Sequence, residues 1–425
     1  MALTTSRHTR RHLYRFAGFM VLPAVGIISP LLVIPSVTHS YGSAGWTTIA
    51  LGQSVGGAVA VLAELGWSLS GPQLVAAQKQ EQRHATFWLS FATKAAVMPL
   101  LGAIAAVGVV LLPGTSFPGV LMALASVASS FTFTWYFVGT GRPLAILLSD
   151  TLPKVLAALI AAALLYQGLP LSVYPLLMMS ASVLGVPVAA ILARAPLVAL
   201  TRLTWRPVVE ALRHQSVALR GRATSALYIA LPVALVGMVS TESVAVFSAI
   251  ERLQRLLLAV LQSVPTAMQN WVGSAIQGTE RYKAIRKALS ANGALSWISL
   301  LGFFLMGPLA IGILFSGKIS VSGAMCLMAG VVIALTTSSR ATGGLGLVAY
   351  GDLRAIANSA TVGAALGIPT ILVGASLYGV VGALGGEIIA EACVLGVQVR
   401  RLHTHMAKER DLYCISDLGP RSWLR

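Results

Sequence analysis

The sequence predicts an all-α membrane protein of about 12 transmembrane helices with both termini in the cytoplasm. Three observations carry that expectation. Of 425 residues, 56% are hydrophobic and only 10% charged, and the mean hydropathy is +0.81. Apolar stretches long enough to cross a hydrocarbon core, roughly 20 residues each, recur along the chain. The Lys and Arg residues between them gather on one side. A soluble domain carries roughly 25% charged residues, so a water-soluble globule is excluded. The net charge of +17 would point to nucleic acid in a soluble protein. So apolar a chain cannot hold such a surface in water, and no nucleic-acid partner is expected.

With Gly and Pro as punctuation, the spans are 16–37, 45–68, 86–112, 117–140, 143–166 and 171–193, then 223–241, 243–270, 291–315, 320–345, 355–376 and 378–399. The runs lack the two-residue alternation of barrel strands, and lipid admits only helices or closed barrels, so a helical bundle follows. The first stretch exceeds a signal-peptide core and holds Pro23, Pro30 and Pro35, so it reads as a retained first helix.

This threading puts 24 of the 30 Lys and Arg on one side, leaving Lys318 alone on the other and five inside spans. That asymmetry satisfies the positive-inside rule and fixes the orientation. The cytoplasmic excess also grips anionic membrane lipid, so the +17 is a topology signal and does not bear on substrate.

The longest internal connection, Arg194–Arg222, divides the chain. It separates an N-terminal six-helix lobe (1–193) from a C-terminal one (223–401), with a cytoplasmic tail at 402–425. Trp205, Val208, Val209, Leu212 and Leu219 alternate with six arginines along it. An amphipathic basic helix of this kind should lie on the cytoplasmic leaflet. A six-plus-six plan is common in transporters built from repeats.

No sizeable loop offers a catalytic segment, so an enzyme is not expected. The stretch Gly312-Ile-Leu-Phe-Ser-Gly317-Lys318-Ile319 nearly spells a P-loop, but it lacks the magnesium-holding Ser/Thr and lies on the outer side. Cys326, Cys393 and Cys414 show no metal or pairing pattern and read as structural. No metal or cofactor is expected.

Ionisable residues inside a bilayer cost roughly 2.5–3.5 kcal/mol each on insertion scales, so they face a partner or a cavity. Lys94, Lys154, Arg252, Arg255 and Arg340 qualify, with Glu64, Asp150, Glu251, Glu387 and Glu391. Asp150 with Lys154, Glu251 with Arg255, and Glu387 with Glu391 stand one turn apart. Two readings remain open. The pairs are internal ion pairs that let the helices insert, or Arg252, Arg255, Lys154 and Lys94 line a cavity for an anionic substrate. Arginine suits phosphate because its fork donates two parallel bonds. Glu387 and Glu391, with Asp150, are candidates to carry a coupling proton or sodium ion. The alternative for the glutamates is a protonated or Arg340-paired structural couple. Gly52/Gly56 and Gly382/Gly386 are small-residue faces that permit close helix approach.

Several segments carry a family resemblance. Span 1 runs I-S-P-L-L-V-I-P-S-V-T-H-S-Y-G to Gly42. Span 2 ends E-L-G-W-S-L-S-G-P-Q from Glu64. Span 4 ends F-T-W-Y-F-V-G-T-G-R-P from Phe133, followed by D-T-L-P-K from Asp150, and span 8 reads A-V-F-S-A-I-E-R-L-Q-R. With a Gly-rich last helix pair, the chain resembles the polysaccharide-exporter (Wzx-type) flippases of the multidrug/oligosaccharidyl-lipid/polysaccharide superfamily.

The resemblance implies a bacterial inner-membrane protein with two six-helix lobes of MATE-like fold around a central basic cavity. It implies transfer of undecaprenyl-diphosphate-linked oligosaccharide to the outer leaflet by alternating access, with polysaccharide assembly proteins as possible partners. Arg252 and Lys154 match positions where relatives carry basic residues. Gln73 stands where relatives often have arginine, which puts that phosphate contact in doubt. A cation-coupled drug exporter of the same superfamily is the alternative, and its cavity should be acidic. A membrane enzyme of glycan assembly is a third possibility.

Overall fold

The computed structural model describes residues 2–201, 204–213, 230–274 and 279–417, with most of the side chains between Leu31 and Glu409. Among these every regular element is helical. The helices are α1 (Ala2–Ala63), α2 (Trp67–Ala77), α3 (Gln80–Val110), α4 (Phe117–Ala128), α5 (Thr134–Gly139), α6 (Pro143–Ile146), α7 (Leu152–Tyr166), α8 (Val173–Ala193) and α9 (Val198–Thr201). A helical segment over 205–213 is α10. Then come α11 (Pro232–Val239), α12 (Thr241–Leu261), α13 (Ser263–Ser274), α14 (Thr279–Leu314), α15 (Gly323–Ala341) and α16 (Leu353–Asp417).

Eight helical stretches in the described residues are long and apolar enough to cross a membrane, which makes this a multi-pass membrane protein. The difference from twelve has local causes. Predicted span 1 and most of span 2 (45–63 of 45–68) fall within α1, and spans 11 and 12 within α16, each helix broken at one glycine. Gly42 (φ 64, ψ −163) and Gly379 (φ 56, ψ −131) interrupt these helices in a region that residues with a Cβ avoid. Predicted span 7 is described only in part, as Pro232–Val239. Predicted span 8 divides between α12 and α13, and α12 carries Glu242, Glu251, Arg252 and Arg255.

The chain divides into two compact units. One comprises Met1–Ser248 with Gly312–Ile319, and the other Ala249–Ile311 with Ser320–Arg425. In the first unit α1 crosses α4 at small residues. A Cβ added to Gly52 would lie 2.3 Å from the Gly119 carbonyl oxygen, and one added to Gly56 would lie 2.5 Å from that of Ala123. In the second, Cβ atoms on Gly374 and Gly382 would sit 2.2 and 1.9 Å from each other's carbonyl oxygens. The predicted small-residue faces are therefore real crossings, where glycine lets backbones touch.

An aromatic cluster anchors one end of the first unit. Phe87 stacks on Phe133 with centroids 3.9 Å apart, and Trp67 lies beside Trp135. Gly71 backs onto the Trp135 ring and Gly139 onto the Pro72 carbonyl, so the span-2 and span-4 motifs pack as one body. Part of the connecting segment joins it: Val208 is buried and Leu212 packs against the cluster, while Trp205 is 66% exposed. The apolar face of α10 thus covers protein, and Trp205 is the side chain left for a lipid surface. Arg202, Leu219, Arg220 and Arg222 lie outside the described residues.

Candidate functional site

The intramembrane charges fall into two groups, one in each unit. In the first unit the helix holding Asp150 departs from α geometry, since Leu147–Thr151 is a π-turn. The sequence supplies the cause. Residue 153 is proline, so the Ser149 carbonyl has no N–H four residues ahead. Gly185 of α8 packs directly over that oxygen, where a Cβ would lie 2.5 Å away. Past the turn, Lys154 Nζ donates to Asp150 Oδ1 at 2.8 Å, with both side chains about one-quarter exposed. Lys94 has no exposed surface. Its Nζ donates to the carbonyls of Ser130 at 2.7 Å and Thr132 at 3.1 Å, and it lies 5.8 Å from the Phe133 ring centre. Glu64 and Asp150 are the carboxylates that face it. Lys94 is therefore engaged by the carbonyls of the 3-10 turn that follows α4 and of Thr132 just beyond it, with no exposed surface of its own.

In the second unit three helices bring charges together. Glu251, Arg252 and Arg255 come from α12, Arg340 from α15, and Glu387 and Glu391 from α16. Arg255 Nη2 donates to Glu251 Oε1, with the arginine side chain 41% exposed and the glutamate 11%. Glu387 is buried at 8% exposure, its Oε2 has no hydrogen-bond partner among the described residues, and the charges of Glu251, Glu391 and Arg255 act on it. Arg340 Nη1 donates to the Leu258 carbonyl at 3.2 Å, and its charge faces Glu391. Arg252 is partly buried.

Three carboxylates and three guanidiniums thus share one region at formal balance. A second π-turn, Thr342–Leu347, follows Arg340 directly. Gly343, Gly344 and Gly346 lie in it, and Gly343 backs onto the Gln398 side chain. π-Turns inside helices are frequent at functional sites. Neither was anticipated from the sequence, although Pro153 and the three glycines were the available signals.

No family model matches the chain, and no curated protein sequence matches it. Solved structures do. The lipid II flippase MurJ in an inward closed conformation aligns over 92% of this chain and 87% of its own, at TM-score 0.67 and 12% identity. An outward-facing multidrug resistance MATE family transporter of the MOP superfamily aligns over 93% and 95%, at TM-score 0.53 and 13% identity. The eukaryotic MATE transporter AtDTX14 aligns over 95% and 98%, at TM-score 0.51 and 13% identity. The chain has the MATE/MurJ-like fold.

The predicted pairs Asp150–Lys154 and Glu251–Arg255 both form. The charges of Glu391 and Arg340 act on each other, and Glu387 is influenced by Glu251 and Arg255 of α12 as well as by Glu391.

Proposed function

We propose that this protein is a transporter that moves a polyprenyl-diphosphate-linked oligosaccharide, such as an O-antigen, capsule or exopolysaccharide repeat unit, from the inner to the outer leaflet by alternating access. The bacterial inner membrane, with both termini cytoplasmic, is the setting this implies, and polysaccharide assembly proteins are its natural partners. The observation that carries the reading is the buried cluster in the second unit, where α12, α15 and α16 bring arginines and carboxylates together. Arg252 and Arg255 present guanidinium forks suited to a diphosphate, and Lys154 offers a further cation in the first unit.

The cluster balances only while its carboxylates are ionised. A proton on Glu387 or Glu391 leaves the arginines in excess and favours an anion, so proton and anionic head group bind in support of each other. Among the described residues no three His, Cys, Asp or Glu side chains are grouped to hold a metal ion.

The test is flipping of a fluorescent polyprenyl-diphosphate glycan in proteoliposomes. A charged hydrogen bond contributes about 1.5–3 kcal/mol, so Arg252→Ala and Arg255→Ala should each slow transfer by about tenfold or more. Unchanged transfer in both variants overturns the site. Absence of transfer by the unaltered protein overturns the function.

A multidrug exporter is the second reading, because two of the similar structures are MATE transporters, one of them a multidrug resistance transporter. Uptake of a cationic dye, in place of glycan transfer, would favour it.

A further inference from the structure

In the second unit, α12 and α13 meet at a break that a side chain of α15 spans. α12 ends at Leu261 and α13 begins at Ser263, and Pro265 has no N–H to offer the Leu261 carbonyl. Arg340 Nη1 donates across this joint, to the Leu258 carbonyl at 3.2 Å and to Gln262 Oε1 at 3.4 Å. A cation suits the place, because the last carbonyls of a helix carry partial negative charge. Leu258 follows Arg255 by three residues and Arg252 by six. Arg340 therefore grips α12 about one turn beyond Arg255 and about two beyond Arg252.

The other side of α15 packs on α16. A Cβ on Gly385 would lie 3.9 Å from Met328 Cε, and one on Gly343 would lie 3.4 Å from the Gln398 amide. These two contacts make α15 and this part of α16 parallel, with Glu391 between them. Helix side chains lean towards the N-terminus, which brings the Arg340 guanidinium back towards the level of Glu391. Their charges do act on each other. Among the described residues, Glu251, Arg252 and Arg255 of α12 and Glu387 of α16 are the other charges of this region. The π-turn Thr342–Leu347 follows Arg340 directly, with Gly344 towards Gln269 of α13 and Gly343 towards Gln398 of α16. The end of α15 is thus a wedge between the α12–α13 joint and α16, and its backbone departs from α geometry beside the arginine.

We propose that Arg340 is the positioning residue that links the carboxylate of Glu391 to the arginines of α12. With Glu391 ionised, Arg340 is drawn to α16 and holds the last turn of α12 with it. With Glu391 neutral, that attraction is gone and α12 moves away from α16, carrying Arg255 off from Glu387. Arg255 is then free for an anion, and Arg340 itself never touches the substrate. The assignment rests on the function proposed above and supplies the connection between its two candidate sites.

The experiment uses the full chain in nanodiscs, with spin labels on Val260→Cys of α12 and Val399→Cys of α16, 61% and 48% exposed. Cys393 and Cys414 become serine, and the fully buried Cys326 stays. Glu391→Gln mimics the neutral acid and should lengthen the 260–399 distance without any ligand. Arg340→Gln should lengthen it by itself, and adding Glu391→Gln should change nothing more. Arg340→Lys keeps the charge and should keep the response to Glu391→Gln. With farnesyl diphosphate as probe, Glu391→Gln should tighten binding at least about fivefold, the lower end of a coupling between sites. In the Arg340→Gln background it should leave binding unchanged.

A full further shift when Glu391→Gln is added to Arg340→Gln overturns the proposal, because the carboxylate then acts on α12 without Arg340. An unshifted distance in Glu391→Gln overturns it as well. Should Arg340→Gln fail to fold, Gln262→Leu removes one of its two contacts on α12 and should shrink the response to Glu391→Gln. A full response there overturns the proposal. The distances need no ligand. The expected distances without farnesyl diphosphate binding or glycan flipping by the unaltered protein would sink the function and leave the link standing. Binding and flipping with additive distance shifts would do the reverse.

Discussion

The ammonium of Lys94 donates to the carbonyl oxygen of Ser130 at 2.7 Å, where α4 gives way to a tight 3-10 turn. The last carbonyls of a helix have no intrahelical donor, and in hydrocarbon no water replaces one. The lysine of α3 serves them from the side.

Lys94→Met should therefore act on stability more than on transport. Leaving a buried carbonyl unsatisfied costs about 1–3 kcal/mol, so the thermal midpoint in detergent should fall. Glycan transfer per folded molecule should stay near that of the unaltered protein. An unchanged midpoint with transfer lost would instead make Lys94 a substrate ligand.

Among the described residues Glu387 has a buried oxygen without a hydrogen-bond partner, and charges of α12 and α16 act on it. Glu387→Gln should fold normally, because a neutral amide in this place relieves the repulsion from Glu251 and Glu391. Transfer driven by an imposed pH gradient should drop to the rate seen without a gradient. Retention of a full gradient response would remove Glu387 from coupling.

Asp352 gives an acid-sensitive lock in the second unit. Its carboxylate accepts from His405 Nε2 and Arg401 Nε, each at 2.8 Å, and from the Ala355 backbone N–H at 3.1 Å. The hydrogen bond from His405 first, then that from Arg401, hold its pKa well below the ordinary 3.8. A depressed carboxylate stabilises the fold above its unfolded pKa and loses that contribution as pH falls through the folded value. Asp352→Asn keeps a capping oxygen and removes the charge. Its deficit in denaturation midpoint against the unaltered protein should be constant above about pH 4 and shrink below it. A deficit that persists unchanged to pH 2 would contradict the ionic account.

At the Gly374–Gly382 crossing, Cβ atoms would lie 2.2 and 1.9 Å from backbone oxygens, with no flexible side chain to yield. Gly382→Val should force the α16 segments apart and cost more than the about 1–3 kcal/mol of ordinary overpacking. Size-exclusion chromatography from detergent should show loss of the monodisperse peak, whereas Gly396→Val, at an open position, should retain it.

The sequence by itself determined the class of molecule, because hydrocarbon tolerates no unsatisfied backbone and so leaves helices as the outcome of long apolar runs. It also located most span boundaries, put Gly42 in the connection between the first two spans, and marked the close crossings at Gly52, Gly56 and Gly382. These depend on residues near in sequence, or on the lack of a side chain. It identified both internal ion pairs, since partners four residues apart share a helix face.

Only the tertiary structure decided what each intramembrane charge meets. Lys94 finds carbonyls 36 and 38 residues away, Arg340 reaches the Leu258 carbonyl of another helix, and Glu387 is influenced by charges of α12 as well as by Glu391 of its own helix. No periodicity within one helix encodes the rotation and depth at which it packs against another. The π-turn at Asp150 shows the same division. Pro153 removes the donor locally, but Gly185 of a different helix is what fills the opened place over the Ser149 carbonyl.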